Sequence, residues 1–128
     1  MPPSNTAISH NNELRQISDP REVEVFALRE IAQRLEAAQK NPENEFEMLQ
    51  AVRLNWRLWT IFQASLLEVN CPLPVLIRNN ILSLSNFVDK RSADIITAPA
   101  PSKLDVLIRI NHDLADGLSC AASPNPQL

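Results

Sequence analysis

Few side chains in this sequence are suited to bond chemistry. Among 128 residues there are two histidines, His10 and His112, and two cysteines, Cys71 and Cys120. A zinc site gathers three or four such ligands, and neither pair recurs at a ligand-like spacing. The cysteines form no CxxC motif and read as ordinary reduced thiols. His112 falls on the polar side of a helical pattern beside Asp105, Arg109 and Asp116, where a solvated ring is the plain reading. A single glycine excludes most glycine-bearing phosphate and dinucleotide loops, and no GxSxG or HExxH occurs. Fifteen acidic residues leave a carboxylate pair open, but no spacing selects one. The expectation is a protein that is not an enzyme and uses no metal or cofactor.

Charge narrows the partners. Twelve basic residues are scattered among fifteen acidic ones for a net charge of −3. Direct nucleic-acid binding leans on clustered Lys and Arg, so the signal for RNA or DNA is weak. No charged-then-apolar leader and no run of about 18 apolar residues is present, which points to a cytoplasmic protein with no membrane partner.

The polar residues that remain of interest are those that interrupt apolar stripes. Asn55 lies between Met48, Ala51, Val52, Trp59 and Phe62 on one helical face, and Asn111 interrupts a stripe near the carboxyl terminus. A buried amide left unpaired costs about 1–3 kcal/mol, so both are expected to be hydrogen-bonded, through one another or through loop carbonyls. Glu24 and Arg91 likewise intrude on apolar stripes, and an ion pair between them would satisfy both.

The elements that must position these residues are helical. Ten prolines cluster at 2–3, 72–74, 99–101 and 124–126, between apolar periodic segments rather than inside them. Ser18-Asp19-Pro20 starts a first helix to about Lys40, with Ala27, Leu28, Ile31, Leu35 and Ala38 inward. Asn44 and Glu47 cap a central helix to about Glu68. Pro74 starts a third, with Leu76, Ile77, Ile81, Leu84, Phe87, Val88 and Ile95 inward and Asn80 intruding. Ser102 with Asp105 gives a capping-box start to a fourth, with Leu104, Leu107, Ile108, Leu114, Ala115 and Leu118 inward and Gly117 near its end. Short connections make consecutive helices antiparallel neighbours. The expected fold is all-α, an antiparallel four-helix bundle over 19–118, with a mobile arm at 1–18 and a frayed tail at 119–128.

The central helix is apolar well beyond one stripe. Leu54, Leu58 and Ile61 widen it on one flank and Trp56 on the other, while Phe26 adds an aromatic on the polar side of the first helix. These five residues are the expected partner-binding surface, a groove for an amphipathic helix.

The stretch NWRLWTIFQASLLEVNCPLPVLIRNNILSLSNFVD closely resembles the central block of the flagellar biosynthesis regulator FlaF family. Asn55, Leu58 and Trp59 match an Asn-x-x-Leu-Trp helix; Leu73, Pro74, Leu76, Arg78, Leu82, Leu84, Phe87 and Val88 match the Leu-Pro-started helix after it. Leu107, Ile108, Asn111, Gly117 and Leu118 resemble the family's closing helix, and the segment from Asp19, including Glu24 and Leu28, its first. The arm departs from the family's Ala-Tyr start, since the chain has no tyrosine and offers Ala7-Ile8. The resemblance implies a small helical protein needed for flagellin production and filament assembly. Its expected partner is flagellin, with a FlbT-type translational repressor acting alongside. The alternative it leaves is a post-transcriptional regulator of flagellin mRNA, direct or through that repressor.

Overall fold

Local chemistry sets the boundaries of each helix. The computed structural model describes residues 20–122, with side chains from 21 to 119; the expected arm at 1–18 lies outside the described residues. Helix α1 spans Pro20–Gln39, opening on a proline that needs no N–H partner in the first turn. Helix α2 spans Glu45–Leu66, and the Asn44 side chain accepts the Glu47 backbone N–H at 3.2 Å, as its cap pattern predicts. Helix α3 spans Val75–Thr97 after Pro74. Helix α4 spans Leu104–Ala122.

Two terminal expectations are corrected. The Ser102–Asp105 box does not form, because Pro101–Lys103 makes a 3-10 turn ahead of α4. Asp105 instead accepts a hydrogen bond from Gln39 Nε2 at 2.6 Å, and the same amide donates to the Pro101 carbonyl at 2.9 Å. Nor does Gly117 end α4, which runs on to Ala122 with no glycine at positive φ. The expected tail therefore begins inside a helix, and residues 123–128 lie outside the described residues.

The four helices form an antiparallel bundle. Helices α1 and α2 are joined by the Asn41–Asn44 turn, where Asn44 N–H donates to the Asn41 carbonyl at 3.0 Å. Helix α3 packs on α2, and α4 returns against α1, the most extensive interhelical contact in the molecule. A ladder marks that antiparallel pairing: Arg29 to Asp116 at 2.9 Å, His112 to Glu36 at 3.2 Å, and Gln39 to Asp105. Exposed pairs of this kind each contribute little, on the order of 0–1 kcal/mol. The weight falls on the core between them, Leu28, Ala32, Leu35, Leu104, Leu107 and Ala115, all fully buried.

At the centre lies Trp59, fully buried, with Phe62 edge-on at 5.7 Å. Its indole N–H donates to Asn111 Oδ1 at 3.0 Å, and Asn111 Nδ2 donates to Asn55 Oδ1 at 2.7 Å. Both asparagines are fully buried and bonded to one another, as the sequence predicts. The buried stripe of α3 differs from expectation. It is Ile81, Ser85, Val88, Ser92 and Ile95, while Leu76 is 73% exposed and Ile77 and Phe87 lie at the surface. A helix packed chiefly against one neighbour buries only a narrow seam with a 3-4 repeat, and two of those seam positions hold serine. The hydroxyls of Ser85 and Ser92 and the amide nitrogen of Asn55 find no hydrogen-bond partner among the described residues.

The expected Glu24–Arg91 pair is also corrected. Glu24 pairs with Arg21, one turn earlier on α1. Arg91 donates to the Lys103 carbonyl at 3.2 Å and lies over the Phe87 ring at 5.4 Å. Charged side chains at the rim of a stripe reach the nearest local partner rather than crossing the core.

The hydrogen-bond chain ranks four substitutions. Asn111→Ala strands two buried groups, the Trp59 N–H and the Asn55 carbonyl, whereas Asn55→Ala strands one. Each stranded group costs about 1–3 kcal/mol, so urea denaturation gives the lower midpoint for Asn111→Ala. Ser85→Ala and Ser92→Ala remove hydroxyls without partners, and their midpoints stay level or rise. A midpoint for Ser85→Ala below that of Asn55→Ala would reverse this ranking.

Candidate functional site

Helices α3 and α4 are tied at one end. Beside their connection, Lys103 Nζ bonds the Ala98 carbonyl at 2.7 Å and pairs with Asp94 at 3.0 Å, and Arg91 holds the Lys103 carbonyl. In the halves remote from that connection, an open cleft of about 370 Å³ separates the two helices. Leu73, Ile77, Ile81 and Leu84 form one wall; Ile110, Leu114 and Leu118 form the other. Asn80 and Asp113 are its polar residues, and Gly117 completes the α4 side. The spacings 77, 81, 84 and 110, 114, 117/118 are those of facing helix stripes. An apolar trough between two such stripes suits the hydrophobic face of a third helix.

Around the mouth of this cleft the surface stays apolar. Val69 is 97% exposed, and Leu67, Val75 and Leu76 are exposed at the same α2–α3 turn. Among the described residues no group of three His, Cys, Asp or Glu is placed to hold a metal ion. No helix of the described residues is long and apolar enough to cross a membrane.

The five residues expected to bind a partner do not share one groove. Leu54 and Leu58 are half-buried on the α2 flank toward α1, where Leu54 shares a shallow concavity with Ile31 and Arg34. Ile61, on the same flank, is 61% exposed. Trp56 sits on the opposite flank, and its indole N–H donates to Asp89 of α3 at 2.9 Å. Phe26 is 65% exposed on α1. The structural pair Asn55 and Asn111 lies in the core, away from both surfaces. The sequence reading did not single out Ile77, Leu84, Ile110 and Gly117 as a surface. The available signal was the width of the α3 apolar arc, which one neighbouring helix cannot cover.

Gly117 is the chain's one glycine and sits within α4, where a Cβ would meet nothing within 4 Å. Glycine inside a helix costs about 1 kcal/mol relative to alanine, and no positive φ requires it here. Gly117→Ala should therefore raise stability by about 0.5–1 kcal/mol, read as a higher thermal midpoint; a lower midpoint would mean the position is more crowded than this geometry allows.

Comparison with known protein families gives a match over most of the chain. The family described as flagellar protein FlaF matches residues 7–118. The match starts earlier than the resemblance at Asp19, taking in Ala7 to Ser18 as well. No curated protein and no solved structure matches the chain. A family pattern that runs from Ala7 through all four helices to Leu118 covers most of the 128 residues, and the chain belongs to the FlaF family of flagellar proteins.

Proposed function

We propose that this protein is a non-enzymatic flagellum assembly factor that binds flagellin in the cytoplasm as a chaperone and regulator, promoting its production and secretion. The observation that carries this reading is the α3–α4 cleft, apolar on both walls and left uncovered by the four described helices. A secreted subunit held unassembled presents amphipathic segments, and a trough with anchors at i, i+4 and i+7 receives such a helix by burying its apolar face. A FlbT-type translational repressor is the partner through which this binding would reach flagellin synthesis, by a functional link rather than a surface identified on this bundle.

Direct action on flagellin mRNA has one observation in its favour. Arg34, Arg53 and Arg57 line a single concavity with Gln50 and Leu54, a gathering of cations across α1 and α2. Three arginines neutralise about three phosphates, against the six to ten contacts typical of firm electrostatic binding. Glu47 also stands 3.8 Å from Arg34. The peptide-binding reading is therefore preferred.

Isothermal titration with a flagellin terminal peptide tests it. Ile77→Asp and Leu84→Asp each place a charge on an apolar wall and should weaken binding by about tenfold or more, equivalent to ~1.4 kcal/mol. Phe26→Ala and Leu54→Ser probe the flank of α1 and α2 in the same assay. Loss of affinity in that second pair alone would move the site to that flank, and salt-sensitive RNA retention with no peptide binding would favour the messenger reading.

A further inference from the structure

We propose that, in the free protein, the α3–α4 cleft is occupied by the chain's own amino-terminal segment, residues 7–18, docked in cis. The proposal rests on the cleft itself and not on what partner later takes it.

The first support is where the chain leaves the bundle. The first turn of α1, at Arg21 and Glu24, lines a small cavity together with Leu73, Ile81, Leu114 and Leu118. Those four residues also line the cleft. The residues before Pro20 therefore start at the mouth of the cleft, and a span of about 3.3–3.6 Å per extended residue brings the next few inside it. Along α3 the trough from Ile77 to Leu84 measures about 10 Å at 1.5 Å per residue. A segment of twelve residues covers that length as helix or as extended chain.

The second support is chemical. In the helical reading of the sequence pattern Ala7, Leu14 and Ile17 fall within one arc and Ile8 outside it, and the other residues between Ala7 and Ile17 are polar. The segment carries Glu13 and Arg15, which balance, together with His10, and the cleft offers Asp113 and Asn80 as its polar residues. At Gly117 the α4 wall of the trough carries no side chain, and no described atom lies within 4 Å of where a Cβ would stand, so the trough is open there. The family pattern points the same way, for it begins at residue 7 and not at Pro20, so the segment is matched together with the bundle.

A second copy of the chain is the competing occupant. A tethered segment acts at an effective concentration in the millimolar range, which favours the intramolecular arrangement in dilute protein.

Photo-cross-linking of the full chain decides between them. With p-benzoylphenylalanine in place of Ile8 and no flagellin present, irradiation of dilute protein should link position 8 to residues 76–84 or 110–118 within one chain. Leu14→Asp combined with Ile17→Asp should lower the yield at least about tenfold, since each change removes an apolar anchor. Gly117→Leu, filling the trough from α4, should lower it likewise while position 8 and the segment are untouched. Links formed between copies only, links to other faces of the bundle, or a yield indifferent to these substitutions would each overturn the proposal. Because no flagellin enters the assay, its outcome is separate from that of the peptide titration.

Discussion

The bundle turns on a short chain of hydrogen bonds in an otherwise apolar centre, from the Trp59 indole to Asn111 and from Asn111 to Asn55. Its members stand on α2 and α4, helices that are neither consecutive nor the closest-packed pair. Apolar contacts tolerate sliding by a residue or a turn, because one methyl surface serves nearly as well as another. A donor and acceptor facing each other across a dry core do not, since misalignment leaves each unpaired at about 1–3 kcal/mol. The amide pair therefore fixes the register of α4 relative to α2. The ladder at Arg29, Glu36 and Gln39 then follows as a surface consequence of that alignment.

Once α4 is committed to α1 and to the centre, α3 is left with less to hold it. It rests on α2 through a seam in which serine occupies two of five buried positions, and both hydroxyls lack partners among the described residues. A serine in that seam contributes less apolar burial than the leucine or isoleucine that would fill it, about 1.5–3 kcal/mol for a full large side chain. Among the described residues, the polar ties between α3 and the start of α4 lie beside the 98–103 connection, at Arg91, Asp94 and Lys103. The cleft is the result: two apolar stripes joined at one end and uncovered at the other. The surface suited to binding thus arises where the packing of the bundle is weakest, in keeping with the low-stability character of binding elements generally.

This division of labour separates the residues that specify the bundle from those that leave a surface on it. The core amides specify one arrangement of four helices, and the free energy not used in closing the α3–α4 edge is available to whatever helix or segment covers it. A helix placed there would cover Ile77 and the half-buried Leu73, Leu84, Ile110 and Leu114, with Asn80 and Asp113 as the polar residues that could orient it.

The sequence by itself determined the elements. Proline clusters, the Asn44 cap and the apolar periodicity located four helices, because those signals act within a turn or two of the chain. It also marked Asn55 and Asn111 as buried and paired, since an amide within an apolar stripe has few other ways to be satisfied. What it could not determine is which apolar residues beyond one stripe are core and which are surface. Leu76, Ile77, Leu84 and Phe87 look as inward as Ile81 or Val88, and the difference is only whether a neighbouring helix covers that side. Likewise Glu24 and Arg91 looked like partners, yet each met a nearer group. Periodicity reports the direction a side chain takes from its own helix axis; the angle and distance of the next axis are set by the summed packing of the whole bundle. The α3–α4 cleft exists because of that second quantity, and only the tertiary structure decided it.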